Sequence, residues 1–363
     1  MPAPRLRQVQ VRRERATRRD LADPEARLVG RLRLVCEVLR EVDGWPNFLH
    51  MGSGALELSY DERAVRELAV RAADVRDFIR ILQSQPEAVK AEHMEVVRYA
   101  DRPCIPGSSL KGTVRSRLEL SFTAVNRRVR SCFHRAGKPP ASGQPGRVHF
   151  ELWKPATEES RVIGFRGRKP VRDRVCDATR VFDRVRVCVV CDLLGAPGLA
   201  SRVLFGNLEH RKGRLIKLEL DGHEKLWAFE PGSTFEGDVA FVSLREEELG
   251  LLLVGLGATR DGSFNPILMG KSKYRPRKVI RSDPPGWEGK TVRFGAVKLD
   301  IKEMVFMHVG EGGPCEDVLV GDELKRRIGH LVARASHAYD GLNVGFSEVS
   351  RLSGMLRGGK RNG

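Results

Sequence analysis

The chain has 363 residues, with 64 Lys and Arg against 47 Asp and Glu, a net charge of +17 and 41% hydrophobic residues. This apolar fraction is sufficient for a packed core, which excludes a largely disordered chain. No run of about 20 uncharged apolar residues is present, which excludes a transmembrane helix. The first thirty residues contain eight arginines and no apolar stretch typical of a secretory signal. The sequence therefore predicts a cytoplasmic protein without membrane contact.

The excess of positive charge predicts a polyanionic partner. Nucleic acid is the commonest such partner, because each phosphate contact releases counterions and adds affinity without reading bases. The alternative is that the basic surface only keeps the protein soluble. Asn and Gln together number 11, and the charged residues are dense, which favours a thermophilic source.

The first half of the chain contains a predicted strand and two predicted helices. Residues 1–28 are rich in arginine and predict a basic N-terminal arm. Charged and apolar residues alternate from Arg31 to Val42, which predicts a half-buried strand. Apolar residues at three- and four-residue steps predict a helix from Asp61 to Leu82. Ser108 or Ser109 is expected to cap the next helix.

The second half alternates irregular and regular stretches. Residues 127–170 are rich in Arg, Gly and Pro and predict a long loop or an irregular subdomain. A strand followed by a helix is predicted over Thr234–Leu256, a closing strand over Val292–Met304 and a helix over Gly321–Tyr339. This order favours an α+β fold with an antiparallel, ferredoxin-like core.

The Gly-Ser-Ser turn before Leu110 is a candidate phosphate-binding element. A helix start offers unpaired N–H groups and the positive end of the helix dipole. Lys111 and Arg115 lie one turn apart and add two cations. The alternative is an ordinary capped helix on the protein surface.

The same segment resembles a known protein family. Ile105–Arg115 reads Ile-Pro-Gly-Ser-Ser-Leu-Lys-Gly-Thr-Val-Arg, and it follows Leu49–Gly54 and Val96–Arg98. These motifs, in this order, resemble the RAMP superfamily of CRISPR proteins, and are most similar to the crRNA-binding backbone subunits of type III-A Csm interference complexes. Later segments of the chain that agree with this pattern are Cys188–Gly195, Ala200–Phe205 and Gly295–Leu299.

The resemblance implies a subunit that binds single-stranded crRNA and coats it as a filament of repeated copies in antiviral defence. The implied partners are crRNA, target single-stranded RNA, further copies of the chain and other subunits of a type III CRISPR complex. The implied core is RRM-like, with an inserted helical lid. The predicted organisation is an arm at 1–28, a core at 29–56, 93–126, 234–256 and 291–340, a lid at 57–92, a zinc-stabilised insertion at 127–233, a basic Gly/Pro-rich loop insertion at 257–290 and a tail at 341–363.

Cationic residues near the family motifs are the candidate RNA contacts, because such residues recognise phosphates without reading bases. His50 lies in a loop that approaches RNA in the family, although a structural histidine is equally compatible with that position. The basic cluster near residue 275 includes an aromatic residue suited to base stacking, or it is simply mobile charge. The candidates are His50, Arg98, Ser108, Ser109, Lys111, Arg115, Arg117, Arg260, Lys271, Lys273, Tyr274 and Arg275.

The cysteines predict a metal site. Seven cysteines without a secretory signal argue against a disulfide framework. Cys188 and Cys191 form a Cys-x-x-Cys pair, and Cys132 with His134 can supply two further ligands of a structural zinc ion. Cys176 is an alternative fourth ligand. Cysteines that are merely buried remain the other interpretation.

A catalytic role is the main functional alternative. Family members that cut target RNA carry an Asp shortly before the motif matched by Val96–Arg98, and His93 occupies that position beside Glu92. In a metal-independent endoribonuclease, His93 would accept the proton of an attacking 2′-hydroxyl, with Glu92, Asp61 or Asp101 as other candidate bases. We expect poor cleavage by the isolated protein. A general basic nucleic-acid protein, such as a zinc-stabilised ribosome-associated factor, is the third alternative.

Overall fold

The computed structural model describes residues 10–16, 27–85, 89–126, 128–132, 147–153, 162–166, 169–172, 176–179, 186–310 and 313–359. Within these ranges, no helix is long and apolar enough to cross a membrane.

The described residues contain eight helices and twenty-three strands. The helices are α1 (Glu62–Arg71), α2 (Val75–Gln83), α3 (Gly107–Ser121), α4 (Arg147–Leu152), α5 (Val189–Leu194), α6 (Glu246–Leu256), α7 (Gly321–Ala338) and α8 (Glu348–Gly359). The strands are β1 (Gln10–Val11), β2 (Glu14–Arg15), β3 (Leu28–Val38), β4 (Glu41–Val42), β5 (Trp45–Phe48), β6 (Gly52–Tyr60), β7 (Val89–Val96), β8 (Arg98–Tyr99), β9 (Arg102–Ile105), β10 (Arg128–Val129), β11 (Val162–Arg166), β12 (Lys169–Arg172), β13 (Arg186–Val187), β14 (Val203–Phe205), β15 (Leu208–Lys212), β16 (Leu215–Leu220), β17 (Glu224–Phe229), β18 (Thr234–Leu244), β19 (Ile267–Leu268), β20 (Arg277–Asp283), β21 (Thr291–Phe294), β22 (Ala296–Gly310) and β23 (Gly313–Leu319).

A nine-stranded sheet forms the centre of the molecule. Its strand order is β19-β22-β3-β18-β15-β9-β8, with β14 also paired to β18 and β23 to β22. The long strands β22, β3 and β18 pair antiparallel along most of their length. The α+β class and the large antiparallel sheet are therefore confirmed.

A second sheet of eight strands lies beside the first, in the order β4-β5-β21-β20-β16-β17-β7-β6. Its own apolar cluster is centred on Phe48, Leu218, Val279 and Phe294. Strand β6 forms one edge, and the segment that follows it contains α1 and α2, within the residues predicted as a lid.

The main core lies between the central sheet and helices α3, α6 and α7. Leu32, Leu34 and Cys36 alternate along β3 and are fully buried against this helical layer, as the period of a strand requires. Helix α6 is buried from Glu248 onward, because it lies beneath α7. A Cβ atom on Gly250 would lie 1.9 Å from the Leu331 carbonyl oxygen, so glycine permits this close approach of the two helices.

The helix predicted over Asp61–Leu82 is two helices. Ala72 has extended backbone angles, and the Asp74 side chain accepts a hydrogen bond from the backbone N–H of Asp77 at 2.8 Å, which starts α2. Apolar periodicity continues across the break, which is why the sequence pattern predicts one helix.

Several segments predicted as insertions or tail are regular structure. Strands β15, β16 and β17 come from the predicted zinc-stabilised insertion, and β20 comes from the predicted basic loop. The predicted closing strand is divided at Gly295, where φ is +81° and a Cβ atom would lie 2.2 Å from the Met269 carbonyl oxygen. The predicted tail contains α8, which packs against Leu120 and Leu152.

Candidate nucleic-acid interface

The N-cap of helix α3 lies two residues before Ser108, the first of the two serines expected to cap it. Pro106 occupies the N-cap position, and the backbone N–H of Gly107 donates to Asn207 Oδ1 at 2.9 Å. The expectation that Ser108 or Ser109 caps α3 is therefore wrong, because both residues already lie in the first turn. Ser108 is exposed and Ser109 is half-buried, so Ser108 presents its hydroxyl at the helix start.

A pocket of about 370 Å³ opens beside the first turns of α3. Lys111 and Arg115 line one side, and the loop that follows α5 lines the other. Burial and the neighbouring Arg115 charge lower the pKa of Lys111, as expected for two cations held close together. The residues that line this second side are Leu194, which ends α5, and the loop residues Gly195, Ala196, Pro197, Leu199 and Ser201.

The Arg115 side chain holds the pocket wall in place. It donates through Nη2 to the Gly195 carbonyl oxygen, and its Nη1 lies 3.6 Å from Cys191 Sγ. The same Nη1 lies 3.5 Å from Glu119. Arg115 therefore joins α3 to α5 and to the loop, with its charge on the pocket side.

Four cysteines converge directly behind this wall. The sulfur atoms of Cys132, Cys176, Cys188 and Cys191 all lie within 4.8 Å of one another, and all four side chains are buried. Three of them are ligands predicted from the sequence, and the fourth is the predicted alternative, Cys176. His134 lies outside the described residues.

The chemistry of this cluster fits a tetrahedral metal ion. A zinc ion with four sulfur ligands at about 2.3 Å places them about 3.8 Å apart, and Cys132 Sγ and Cys191 Sγ are 3.5 Å apart. Backbone N–H groups of Cys188 and Cys191 point at the sulfur atoms of Cys176 and Cys188, at 3.2 and 3.4 Å. Hydrogen bonds from Cys132, then from the other thiols, lower the pKa of Cys176, which favours a thiolate there.

Arg117 is not placed to contact RNA. Its side chain is 5% exposed, and its Nη1 lies 2.8 Å from Glu348 Oε1 on α8. Its Nε donates to the Gly255 carbonyl oxygen at 3.0 Å. Glu348 also accepts from the backbone N–H of Leu268 at 2.7 Å. The predicted RNA contact at Arg117 is corrected to a buried link between α3 and α8.

Part of the predicted basic cluster is structural. The Tyr274 hydroxyl lies 2.6 Å from His149 Nδ1 on α4. Lys273 Nζ donates to the Leu268 carbonyl oxygen at 3.4 Å, and burial lowers the Lys273 pKa. Neither side chain projects freely into solvent, because Tyr274 packs against the apolar cluster that includes Leu352 and Lys273 Nζ lies over the Tyr274 ring.

The other members of that cluster are exposed. Arg275 lies at the surface, and Lys271 Nζ pairs with Glu224 at 3.1 Å. Arg260 lies in a different place, where its Nη2 donates to the Ser336 hydroxyl of α7 at 2.7 Å. The structure therefore separates Arg260 from the cations near residue 271, which the sequence grouped together.

His50 is completely buried. Its Nδ1 donates to the Trp227 carbonyl oxygen at 2.6 Å, and its Nε2 finds no hydrogen-bond partner among the described residues. Burial lowers the His50 pKa, so the imidazole is neutral near pH 7. In this conformation it supports the loop it belongs to and does not reach a ligand at the surface.

His93 lies in a polar cluster on the second sheet. Its Nδ1 is 3.5 Å from Glu57 and 3.9 Å from Glu92, and its side chain is 15% exposed. Lys217 pairs with Glu57 at 2.9 Å and lies over the Trp227 ring. Burial, then the Lys217 charge, lowers the His93 pKa. The sequence identified His93 and Glu92, but Glu57 and Lys217 belong to strands whose pairing it did not show.

Comparison with known proteins decides the family. The RAMP superfamily profile matches residues 47–305, which is more than two thirds of the chain. The chain belongs to the RAMP superfamily. The family predicted from the motifs is thereby confirmed.

Similar solved structures include two CRISPR proteins. A chain from the Csm3–Csm4 subcomplex of the type III-A CRISPR-Cas interference complex is 14% identical, with 86% of this chain and 99% of that chain covered and a TM-score of 0.31. Csc2 of Thermofilum pendens is 13% identical, with 96% and 95% covered and a TM-score of 0.32. No curated protein sequence matches the chain.

A further buried charge network, centred on Arg202, was not revealed by the sequence of this RAMP protein. The Arg202 guanidinium donates to both Glu248 carboxylate oxygens, at 2.7 and 2.8 Å, and to Asp192 at 2.7 Å. It also donates to the Ser243 carbonyl oxygen at 2.9 Å. Asp192 is next to Cys191, so the network connects the cysteine cluster to α6. The only sign of this network in the sequence is the Ser-Arg pair that contains Arg202 and lies among apolar residues.

Proposed function

We propose that this RAMP protein binds single-stranded crRNA as a repeated backbone subunit of a type III CRISPR effector complex, most similar to the type III-A class. Its partners in this proposal are the guide, a complementary target RNA, neighbouring copies of itself and other subunits of the complex. The proposed setting is antiviral defence in the cytoplasm. Family membership and the net charge of +17 support this proposal.

The pocket beside α3 is the observation that carries the proposal. It joins the most family-specific segment of the chain, Ile105–Arg115, to two half-buried cations and an exposed helix start. Gly112 faces open space, so a backbone of the ligand can approach α3 closely at this point. Phosphate and ribose groups, which every RNA sequence shares, suit such a site, and base edges are not needed.

We also propose a structural zinc ion held by Cys132, Cys176, Cys188 and Cys191. When bound, zinc supplies four strong bonds to chain segments that are distant in sequence. The chain connects this metal site to the pocket. Helix α5 carries Cys191, and the residue that follows α5 is Gly195, whose carbonyl oxygen accepts a hydrogen bond from Arg115. A metal ion here therefore fixes the wall of the proposed RNA pocket.

The Lys111→Ala change tests the proposal directly. The salt slope is the change in the logarithm of the binding constant per tenfold change in salt concentration. Loss of one phosphate contact lowers its magnitude by about 0.7 for a single strand, and binding at 0.1 M salt is then about fivefold weaker. The reduction is expected for every RNA sequence alike. Fluorescence anisotropy with labelled single-stranded RNA at several salt concentrations measures both quantities.

Lys298→Ala is the matched control, because Lys298 is an exposed lysine on the central sheet that is not a candidate contact. It removes the same charge and is expected to leave affinity and salt slope near the wild-type values. Equal effects of the two changes would mean that only net charge matters, and the pocket assignment would be wrong.

An endoribonuclease remains the second candidate, because His93 lies among Glu57, Glu92 and Lys217. We expect little cleavage, since His93 Nδ1 faces Glu57 and little of the ring is exposed. The protein is assembled on guide RNA, complementary target is added, and product is measured on a gel for wild type, His93→Ala and His93→Asp. Strong wild-type cleavage that His93→Ala abolishes would overturn the binding-only interpretation and identify His93 as the base.

A further inference from the structure

Tyr99 is an unusual surface residue in this chain. Among the described residues, the large exposed apolar side chains include only two aromatic ones, Tyr60 at 63% and Tyr99 at 66% exposure. An isolated exposed aromatic residue needs no explanation by itself. The surroundings of Tyr99, however, differ from those of Tyr60 in charge, because Asp61 and Glu62 follow Tyr60 whereas Arg98 and Arg102 lie beside Tyr99.

Tyr99 ends the first strand of a tight hairpin. Strands β8 and β9 pair with Tyr99 directly opposite Arg102, and the two turn residues, Ala100 and Asp101, have φ of +46° and +64°. Positive φ at both central positions is the geometry of a type I′ turn, which matches the twist of the paired strands. The backbone N–H of Cys104 also donates to the Val97 carbonyl oxygen at 3.0 Å, which closes the base of the hairpin.

Two exposed arginines lie beside Tyr99 in the hairpin: Arg102, directly opposite, points to the same face, and Arg98, the preceding residue, points to the other face. Arg98 precedes Tyr99 and donates to the Asp101 carbonyl oxygen at 3.3 Å. Arg102 is 73% exposed and lies 3.7 Å from Glu209 on β15. Both guanidinium groups are thus oriented by the hairpin and its neighbour, and both remain at the surface. The exposed carboxylate of Asp101 sits at the tip, beyond the two arginines.

The hairpin is continuous with the proposed RNA pocket. Strand β9 runs through Ile105 into Pro106 and helix α3, and it pairs with β15 at Cys104 and Ile105. Four strand residues span about 13 Å, so the ring lies within a few nucleotides of the start of α3.

The open face of the central sheet does not offer a stacking surface. RRM-type sheets bind RNA through aromatic residues on that face. Here the equivalent positions carry paired charges: Arg31 lies 2.9 Å from Glu303, and Arg33 lies 3.2 Å from Asp238. Among the described residues, this face therefore carries no exposed aromatic side chain on which a base could stack.

We propose that the Tyr99 ring stacks on one nucleobase of the bound single-stranded RNA, with Arg98 and Arg102 against the adjoining phosphates. The inference rests on the proposed function and adds a base contact to a site otherwise described by phosphate contacts. Stacking tolerates any base, because every base has a π face. The hairpin presents the ring at the surface before binding, so contact with a base needs no rearrangement of the backbone.

The test compares Tyr99→Ala and Tyr99→Phe with Tyr60→Ala as the matched control. Binding is measured over a range of salt concentrations with single-stranded RNA and with an abasic oligomer of equal length and charge. Tyr99→Ala is expected to bind RNA about tenfold more weakly, with an unchanged salt slope, because no ionic contact is lost. It is expected to bind the abasic oligomer as wild type does. Tyr99→Phe and Tyr60→Ala are expected to retain wild-type affinity.

Distinct results separate this inference from the proposed function. Wild-type affinity of Tyr99→Ala for RNA, together with weaker binding by Lys111→Ala, would overturn the stacking role and leave the function in place. Unchanged affinity with fewer copies bound per RNA, measured by mass photometry, would overturn it in favour of a protein contact. Equal losses on RNA and on the abasic oligomer would also overturn it. A wild-type protein that binds neither oligomer would overturn both proposals.

Discussion

Replacing Cys188 by alanine is expected to remove the metal and to lower the free energy of unfolding by about 5 kcal/mol or more. All four sulfur atoms are buried within 4.8 Å of one another, so the remaining three thiols cannot complete a closed tetrahedral site. A loss of this size corresponds to a fall in Tm of about 7 °C or more for a chain of this length. Metal analysis of protein purified without added zinc, followed by thermal unfolding, measures both effects.

Cys36→Ala is the matched control, because Cys36 is equally buried but lies in β3, outside the cluster. It should retain one zinc per chain and lose about 1 to 2 kcal/mol, the cost of a small cavity. A wild-type protein without metal, or a Cys188→Ala protein with full occupancy, would contradict the proposed site.

Replacing Arg202 by methionine is expected to lower the free energy of unfolding by about 3 to 5 kcal/mol at pH 7. The change leaves the buried carboxylates of Glu248 and Asp192 without the cation that they share. Urea unfolding at pH 7 measures the loss. Arg211→Met, which changes an exposed arginine, should lose less than about 1 kcal/mol.

The pH dependence gives a second readout of the same network. Burial alone would raise the Glu248 pKa, but the hydrogen bonds and charge of Arg202 lower it overall. A carboxyl group with a lowered folded-state pKa stabilises the protein above its unfolded pKa, and that stability is lost as the pH falls. Wild type is therefore expected to lose this contribution below about pH 4. In Arg202→Met, burial would raise the Glu248 pKa, so stability should instead increase from pH 7 to pH 5. Parallel pH profiles of the two proteins would contradict this role for Arg202.

Local sequence patterns correctly predicted the structural features that depend on residues close together in the chain. The alternation that begins at Arg31 identified the central part of β3, because every second residue faces the same core. The Cys-x-x-Cys pair and Cys132 identified most of the cysteine cluster, because their residue types limit the chemistry. The motif around Lys111 identified the family.

Contacts between distant segments could not be predicted in this way. Arg117 looks like an accessible cation on α3, but Glu348, its partner, lies in a helix that the sequence pattern indicated as a tail. Arg277 belongs to the basic cluster, yet it is buried against Asp221 and Glu224 of the neighbouring hairpin. A cation's sequence neighbours therefore do not show whether its charge is available to a phosphate or is already neutralised.

The link between Arg117 and Glu348 also constrains the order in which the chain can fold during its synthesis. Helix α3 leaves the ribosome long before α8. The Arg117 guanidinium group therefore lacks its partner, the Glu348 carboxylate, while the intervening segments are made. A buried cation without its partner is costly, and the apolar cluster that includes Leu120 and Leu352 is likewise incomplete at that stage. The buried side of α3 is therefore completed only with the last helix. The first turns of α3, where we propose phosphate binding, and the carboxyl-terminal helix are therefore expected to become stable in one late step of folding.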